Sequence, residues 1–208
     1  GVPVENLAPQ ASYEEALFLL LHDRLPDRTE FRALRADLAQ RREITPAVES
    51  LLQEAASQGR PAMDALRMGV AAADLGDESD SPTETAKRVV AVMPTIVATY
   101  WRYREGKQPL EPDPELGHAA NYLWMLTGER PDDAAVEGLE TYLVTVIDHG
   151  LNASTFTART VVSTESDLVS AATAAVGALK GPLHGGAPGP VLEMLREIHE
   201  EGDPERYV

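Results

Sequence analysis

The chain has 208 residues, of which 43% are hydrophobic, and a formal net charge of −16. This composition is typical of a globular protein rather than a disordered one. The negative charge, with no run of basic residues longer than two, argues against nucleic acid or an anionic membrane surface as a partner, and the lack of cysteine excludes disulfides and thiolate nucleophiles.

The same numbers lead to two expectations about the surroundings of the protein. The first ten residues have no signal-peptide pattern and no apolar run approaches the length of a membrane span, so we expect a cytoplasmic protein. Only Lys87, Lys107 and Lys180 are lysines, against fifteen arginines. An excess of carboxylates with so few lysines suggests a halophilic host, because high salt screens the repulsion between like charges.

The first third of the chain has clear helix-start signals. Ser12 with Glu15 and Asp27 with Glu30 have the spacing of capping boxes, each followed by apolar residues at helical intervals. Thr45 precedes a proline at the first position of the next helix. These patterns predict three helices, and the apolar stripe formed by Met63, Leu66 and Val70 predicts a fourth.

Helical patterns continue to the C-terminal end, and strand signals are nearly absent. Ser81 with Glu84 predicts another capping box, at the start of a helix that ends near Arg104. Further helices are predicted over 118–128, 134–148, 155–162, 167–178 and 191–200. The sequence therefore predicts an all-α protein of about ten helices, folded as a single domain over 1–208.

His184 lies in the segment GPLHGG, between two predicted helices. Glycines allow a ligand to approach the backbone, and the helix that follows would present its N-terminus to the imidazole. The positive end of that dipole favours a neutral ring, which can donate a hydrogen bond to a developing oxyanion. A glycine–proline turn that contains a histidine by chance explains the same pattern equally well.

A second polar cluster lies in the segment DHGLNAST at 148–155. His149, Asn152 and Ser154 supply an imidazole, an amide and a hydroxyl, which is a donor set suited to a dicarboxylate. The alternative is that Ser154 caps the next helix and Asn152 makes the turn. A capping role and a binding role are compatible with each other.

DHGLNAST followed some thirty residues later by GPLHGG resembles the citrate synthase family, and so do the opening GVPVENLAPQASYEEALFLLLHDRLP, ALRMGVAAAD and NYLWMLTGERP. The resemblance covers nearly the whole chain. It implies the all-α large domain and condensation of oxaloacetate with acetyl-CoA to citrate and CoA. It also implies a homodimer, and no metal or cofactor besides the acetyl-CoA co-substrate.

The resemblance also implies residue roles. His184 would be the catalytic residue that donates a hydrogen bond to the acetyl carbonyl as the enol forms. His149 would bind oxaloacetate, with Asn152 and Ser154 lining the same pocket.

The chain departs from the family pattern in two motifs and in length. Ala187-Pro188-Gly189-Pro190 follows GPLHGG where Ala-Asn-Glu is common, and Pro61-Ala62-Met63-Asp64 stands where His-Pro-Met-Asp is usual. The family's general base and most CoA contacts come later, in a small domain. We therefore expect that domain to be absent and the 208 residues alone to be inactive.

Two alternatives remain open. The residues present do not exclude a 2-methylcitrate synthase that uses propionyl-CoA. They also do not exclude a non-catalytic helical module that dimerises or binds a dicarboxylate.

Overall fold

The computed structural model describes residues 1–8, 10–73, 81–148, 150–186 and 188–202, and this part of the chain contains eleven helices and no strand. This confirms the predicted all-α class. The helix that the sequence patterns missed is the short α1. The helices are α1 Val4–Leu7, α2 Tyr13–His22, α3 Arg28–Gln40, α4 Pro46–Ser57, α5 Ala62–Val70, α6 Pro82–Arg104, α7 His118–Thr127, α8 Asp133–Val146, α9 Ala153–Val162, α10 Leu168–Leu179 and α11 Pro188–Glu201.

The predicted caps form at the first helices. At the start of α2 the Ser12 hydroxyl accepts the Glu15 N–H while the Glu15 carboxylate accepts the Ser12 N–H, and Asp27 and Glu30 repeat this arrangement at α3. These boxes satisfy backbone donors that have no partner within the helix. Local sequence therefore determines where these helices begin.

The capping box predicted at Ser81 and Glu84 is wrong. Ser81 is the N-cap residue of α6, but its side chain makes no cap hydrogen bond to the described start of that helix. The Glu84 carboxylate is instead bound by Arg41 and Lys87. The Glu84 carboxylate therefore makes ion pairs, one of them with Arg41 of a distant segment, instead of the cap hydrogen bond that the local pattern predicted.

The long helix α6 runs through the centre of the molecule and contacts α3, α4, α5, α7 and α10. The largest apolar cluster lies where α4 and α5 pack on it, and includes Leu52, Val70 and Ile96, each with 0% of its surface exposed. α9 packs on α10, and α10 also crosses α5. The elements that carry the predicted site motifs are thus held against the main core.

Among the described residues, no helix is both long and apolar enough to cross a membrane.

Candidate functional site

The two motifs singled out in the sequence meet in the structure. Ser154 Oγ lies 2.8 Å from Nε2 of His184, although the two residues are thirty positions apart. Both side chains are half-buried. The same hydroxyl lies 3.0 Å from the carbonyl oxygen of Ala175, in α10.

The single proton of the Ser154 hydroxyl decides which tautomer His184 adopts. If Ser154 donates to the Ala175 carbonyl, its oxygen accepts a hydrogen bond from Nε2–H. If Ser154 donates to Nε2, the neutral imidazole carries its proton on Nδ1. The ring therefore has two arrangements, and only the second makes Nδ1 a donor.

His184 lies in a tight turn that folds back on the end of α10. The His184 N–H donates to the Gly181 carbonyl (3.0 Å), and the Gly185 N–H donates to the Leu179 carbonyl (2.9 Å). A Cβ atom at Gly186 would lie 2.8 Å from the Pro182 carbonyl oxygen, and one at Gly185 would overlap the Leu179 carbonyl. The glycines on the C-terminal side of His184 are thus required by backbone packing.

The residue that caps α9 is not the one that the sequence alternative named. That alternative assigned the cap to Ser154 and the turn to Asn152. Asn152 is the N-cap residue, and its side-chain oxygen accepts the Thr155 N–H at 2.9 Å. Ser154 lies inside the helix and turns to His184. The cap is therefore Asn152 rather than Ser154, because the hydroxyl is used in a long-range contact.

His149 lies outside the described residues, so its place relative to this pair is not defined. The residues on either side of it are described. The Asp148 carboxylate accepts a hydrogen bond from the Gly150 N–H at 2.9 Å, and the Asn152 N–H donates to the Gly150 carbonyl. The backbone thus turns over 150–152, directly before α9.

The structure also reveals an ion pair next to the site that sequence reasoning missed. The ammonium group of Lys180, the C-cap residue of α10, donates to Oδ1 of Asp64 in the first turn of α5. The two residues are 116 positions apart. No local pattern signals such a pair.

Two further histidines, His118 and His22, pack against aromatic rings away from the contact between Ser154 and His184. His118 is 6% exposed and stacks on Tyr13 with ring centroids 4.4 Å apart. Burial, with a smaller contribution from Arg42, lowers the pKa of His118 to about 3. His22 is exposed and its ring lies against Phe18.

The described part of the chain contains no group of three or more His, Cys, Asp or Glu side chains arranged to hold a metal ion.

Comparison with known proteins extends over the whole chain. A sequence model of the family described as "Citrate synthase, C-terminal domain" matches residues 1–208. The chain is 44% identical to a citrate synthase of Haloferax volcanii, over 100% of this chain and 58% of that protein. It is 41% identical to a 2-methylcitrate synthase of Mycobacterium tuberculosis, over 98% of this chain and 52% of that protein.

Solved structures show the same similarity. The citrate synthase of Pyrobaculum aerophilum superposes with a TM-score of 0.83 at 38% identity, over 98% of this chain and 53% of that one. A ternary complex of the Thermoplasma acidophilum citrate synthase with carboxymethyl coenzyme A and oxaloacetate gives a TM-score of 0.83 at 28% identity, over 94% of this chain and 52% of that one. The chain spans a little more than half the length of the proteins it matches. The match of the family model to all 208 residues, together with these similarities, shows that the chain belongs to the citrate synthase family.

Proposed function

We propose that this chain supplies the large helical domain of a citrate synthase of the tricarboxylic acid cycle. That enzyme, an acyltransferase, condenses acetyl-CoA with oxaloacetate and water to give citrate and CoA. The observation that carries the proposal is the 2.8 Å contact between Ser154 Oγ and His184 Nε2, because it joins the two motifs in a geometry that can orient an imidazole.

The chemistry assigned to His184 is hydrogen-bond donation to the thioester carbonyl. Removing a proton from the acetyl methyl group places negative charge on that oxygen, and an oriented donor stabilises the charge as it develops. In the productive tautomer Ser154 donates to Nε2, so that Nδ1–H is the donor. His184 thus acts as a neutral electrophilic catalyst.

The proposed oxaloacetate site is formed by His149, Asn152 and Ser154. Capping of α9 uses the Asn152 side-chain oxygen, so the amide nitrogen is the group that would donate to a carboxylate. Ser154 would then serve both substrates, since it lines this pocket and orients His184. We assign the general base to no residue of this chain.

Thiol release from acetyl-CoA in the presence of oxaloacetate tests the proposal. The assay uses the complete polypeptide that contains this chain, with the 208 residues alone in parallel. We expect activity from the former and none from the latter. His184→Ala should lower kcat by about 10²–10³-fold, as removal of an oxyanion donor does.

Ser154→Ala should lower kcat less than His184→Ala, because the imidazole remains but is no longer oriented. Thr157→Ala is the matched control on α9, since the Thr157 hydroxyl donates only to the Ala153 carbonyl of its own helix (2.8 Å). Full activity in His184→Ala would contradict the proposed role of His184. Oxaloacetate binding without thiol release by the complete polypeptide would favour the non-catalytic module.

A second candidate is a 2-methylcitrate synthase, which is favoured by the similarity to the mycobacterial protein of that name. The two functions differ in the acyl group accepted, by one methylene. A comparison of kcat/KM for propionyl-CoA and acetyl-CoA separates them, because a pocket discriminates one methylene by roughly 10–200-fold.

Several broader properties belong to the same proposal. We propose a cytoplasmic, halophilic homodimer that binds no nucleic acid or membrane and requires no metal or cofactor besides the acyl-CoA. Exposed apolar side chains on α8 and α9, including Tyr142, Val146 and Phe156, support self-association. Light scattering on the purified complete protein tests the dimer, which a monomeric mass at micromolar concentration would exclude.

A further inference from the structure

The ion pair between Asp64 and Lys180 joins two elements that lie apart in the chain. Asp64 is 5% exposed and the side chain of Lys180 is 45% exposed. The hydrogen bond from Lys180 lowers the pKa of Asp64, and the nearby charges of Arg60 and Arg67 act in the same direction. The buried carboxylate is therefore ionised and depends on this partner.

The end of α10 that carries Lys180 also carries the anchors of the His184 turn. The Leu179 carbonyl accepts the Gly185 N–H (2.9 Å), and the Ala175 carbonyl oxygen lies 3.0 Å from Ser154 Oγ. A displacement of this end of α10 relative to α9 changes the distance between Ser154 Oγ and His184 Nε2.

Helix α5 provides a rigid base for Lys180. Ala65 and Val70 have 0% exposure, and a Cβ atom at Gly69 would lie 2.5 Å from Cγ2 of Ile96. Helices α5 and α6 are therefore tightly packed against each other. On the other side, a Cβ atom at Gly177 of α10 would lie 4.0 Å from Cδ of Arg67. Asp64 thus lies on a helix that is held rigidly in the core and that packs next to α10, the helix that precedes the His184 turn.

We propose that Asp64 and Lys180 are positioning residues for His184: their ion pair holds the C-terminal end of α10 against α5 and so maintains the contact between His184 and Ser154. Neither residue touches a reacting atom in this scheme. The geometric part of the proposal is independent of the reaction, whereas its effect on catalysis rests on the proposed function above.

The geometric part is tested by ¹⁵N NMR of the His184 ring in the 208-residue chain, assigned with His184→Ala. Ser154→Ala gives the ring nitrogen shifts of an imidazole that has lost its hydroxyl partner. Asp64→Asn and Lys180→Met should move the His184 shifts toward that reference, and Lys180→Arg, which retains the charge and donors, should leave them near the wild-type values.

Lys87→Met is the matched control. Lys87 also joins two elements, since it donates to Asp37 of α3 and to Glu84 of its own helix α6, both at 2.9 Å, and its side chain is 17% exposed. Its partners lie on α3 and α6, and neither helix carries the His184 turn, so its loss should lower the melting temperature without moving the His184 shifts. The amide spectrum of each variant shows whether it is folded.

The catalytic part is tested in the complete polypeptide. Asp64→Asn and Lys180→Met should lower kcat by about ten- to a hundredfold, because a misplacement of about 1 Å has effects of this size. The KM for oxaloacetate should stay near its wild-type value. The double variant should be no slower than the slower single variant, since both changes remove the same contact.

Unchanged His184 shifts in folded Asp64→Asn and Lys180→Met would overturn the proposal, and so would equal shifts in Lys87→Met. If both single variants are unfolded, the comparison moves to Asp64→Asn/Lys180→Met, which leaves no buried charge, with the same expected shift. Absence of thiol release from the wild-type complete protein would refute the proposed function but leave the NMR result on the ion pair standing.

Discussion

Individual residues of this chain have properties that depend on packing more than on identity. His118 and His184 are both histidines close to the start of a helix or turn, yet the first is buried against Tyr13 and the second contacts Ser154. The motif around His184 marked it as a candidate site residue. The fold was needed to assign the cap to Asn152 and the contact with His184 to Ser154, because both side chains can cap a helix.

The buried His118 predicts a stability change in acid. Its pKa is about 3 in the folded state and near 6.5 when unfolded, so below pH 6.5 the unfolded chain binds the extra proton. Stability should therefore fall as pH falls from about 6.5 towards 3, by at most about 1.4 kcal/mol per pH unit from this residue.

Comparison with His118→Gln isolates this effect, because the variant has no titrating group at the position. Urea unfolding at several pH values should give a shallower loss of stability in the variant below pH 6.5. Glu140 remains in both proteins; burial, with Glu14 and Glu15 nearby, raises its pKa to about 7, so its contribution has the opposite sign. Equal pH dependence of the two proteins would contradict the prediction.

At the scale of elements, most helix starts followed local rules and the helix contacts did not. Ser12, Asp27 and Thr45 cap α2, α3 and α4 as their sequence spacing predicts. Capping depends on residues within one turn, which a sequence pattern contains. The close approach of α5 to α6 depends on Gly69 facing Ile96, a relation between two helices that neither helix's sequence reveals.

Gly69→Ala tests this contact. The added Cβ would lie 2.5 Å from Cγ2 of Ile96, so we expect a loss of about 1–3 kcal/mol in the free energy of unfolding. Gly138→Ala on α8 is the matched control, since its Cβ would meet no atom within 4 Å, and should stabilise by about 0.5–1 kcal/mol. Denaturant unfolding of both variants measures the difference, and a neutral or stabilising Gly69→Ala would show that α5 and α6 can separate without cost.

At the scale of the whole molecule, the net charge of −16 is the excess of carboxylates over basic side chains, which no internal ion pair can neutralise. Two of the three lysines, Lys87 and Lys180, make ion pairs between helices. The remaining acidic excess is spread over the surface and repels itself, and this repulsion weakens as added salt shortens the screening length.

The melting temperature should therefore rise from low to molar KCl, where the screening length falls to about 3 Å. A variant with glutamine at the exposed Glu5, Glu129, Glu137 and Glu200 has four fewer negative charges, so its net charge is −16 + 4 = −12, and it should show a smaller rise. Calorimetry of both proteins across the KCl series measures this. A melting temperature that does not increase with KCl would count against the halophilic proposal.

The sequence by itself determined the all-α class, most helix starts and the two motifs, because periodicity, caps and motif spacing are local properties of a chain. Three contacts were decided only by the tertiary structure. Ser154 lies within hydrogen-bond distance of His184, Glu84 pairs with Arg41 instead of capping its helix, and Lys180 pairs with Asp64. These contacts join residues between 30 and 116 positions apart, so they exist only once the helices have packed.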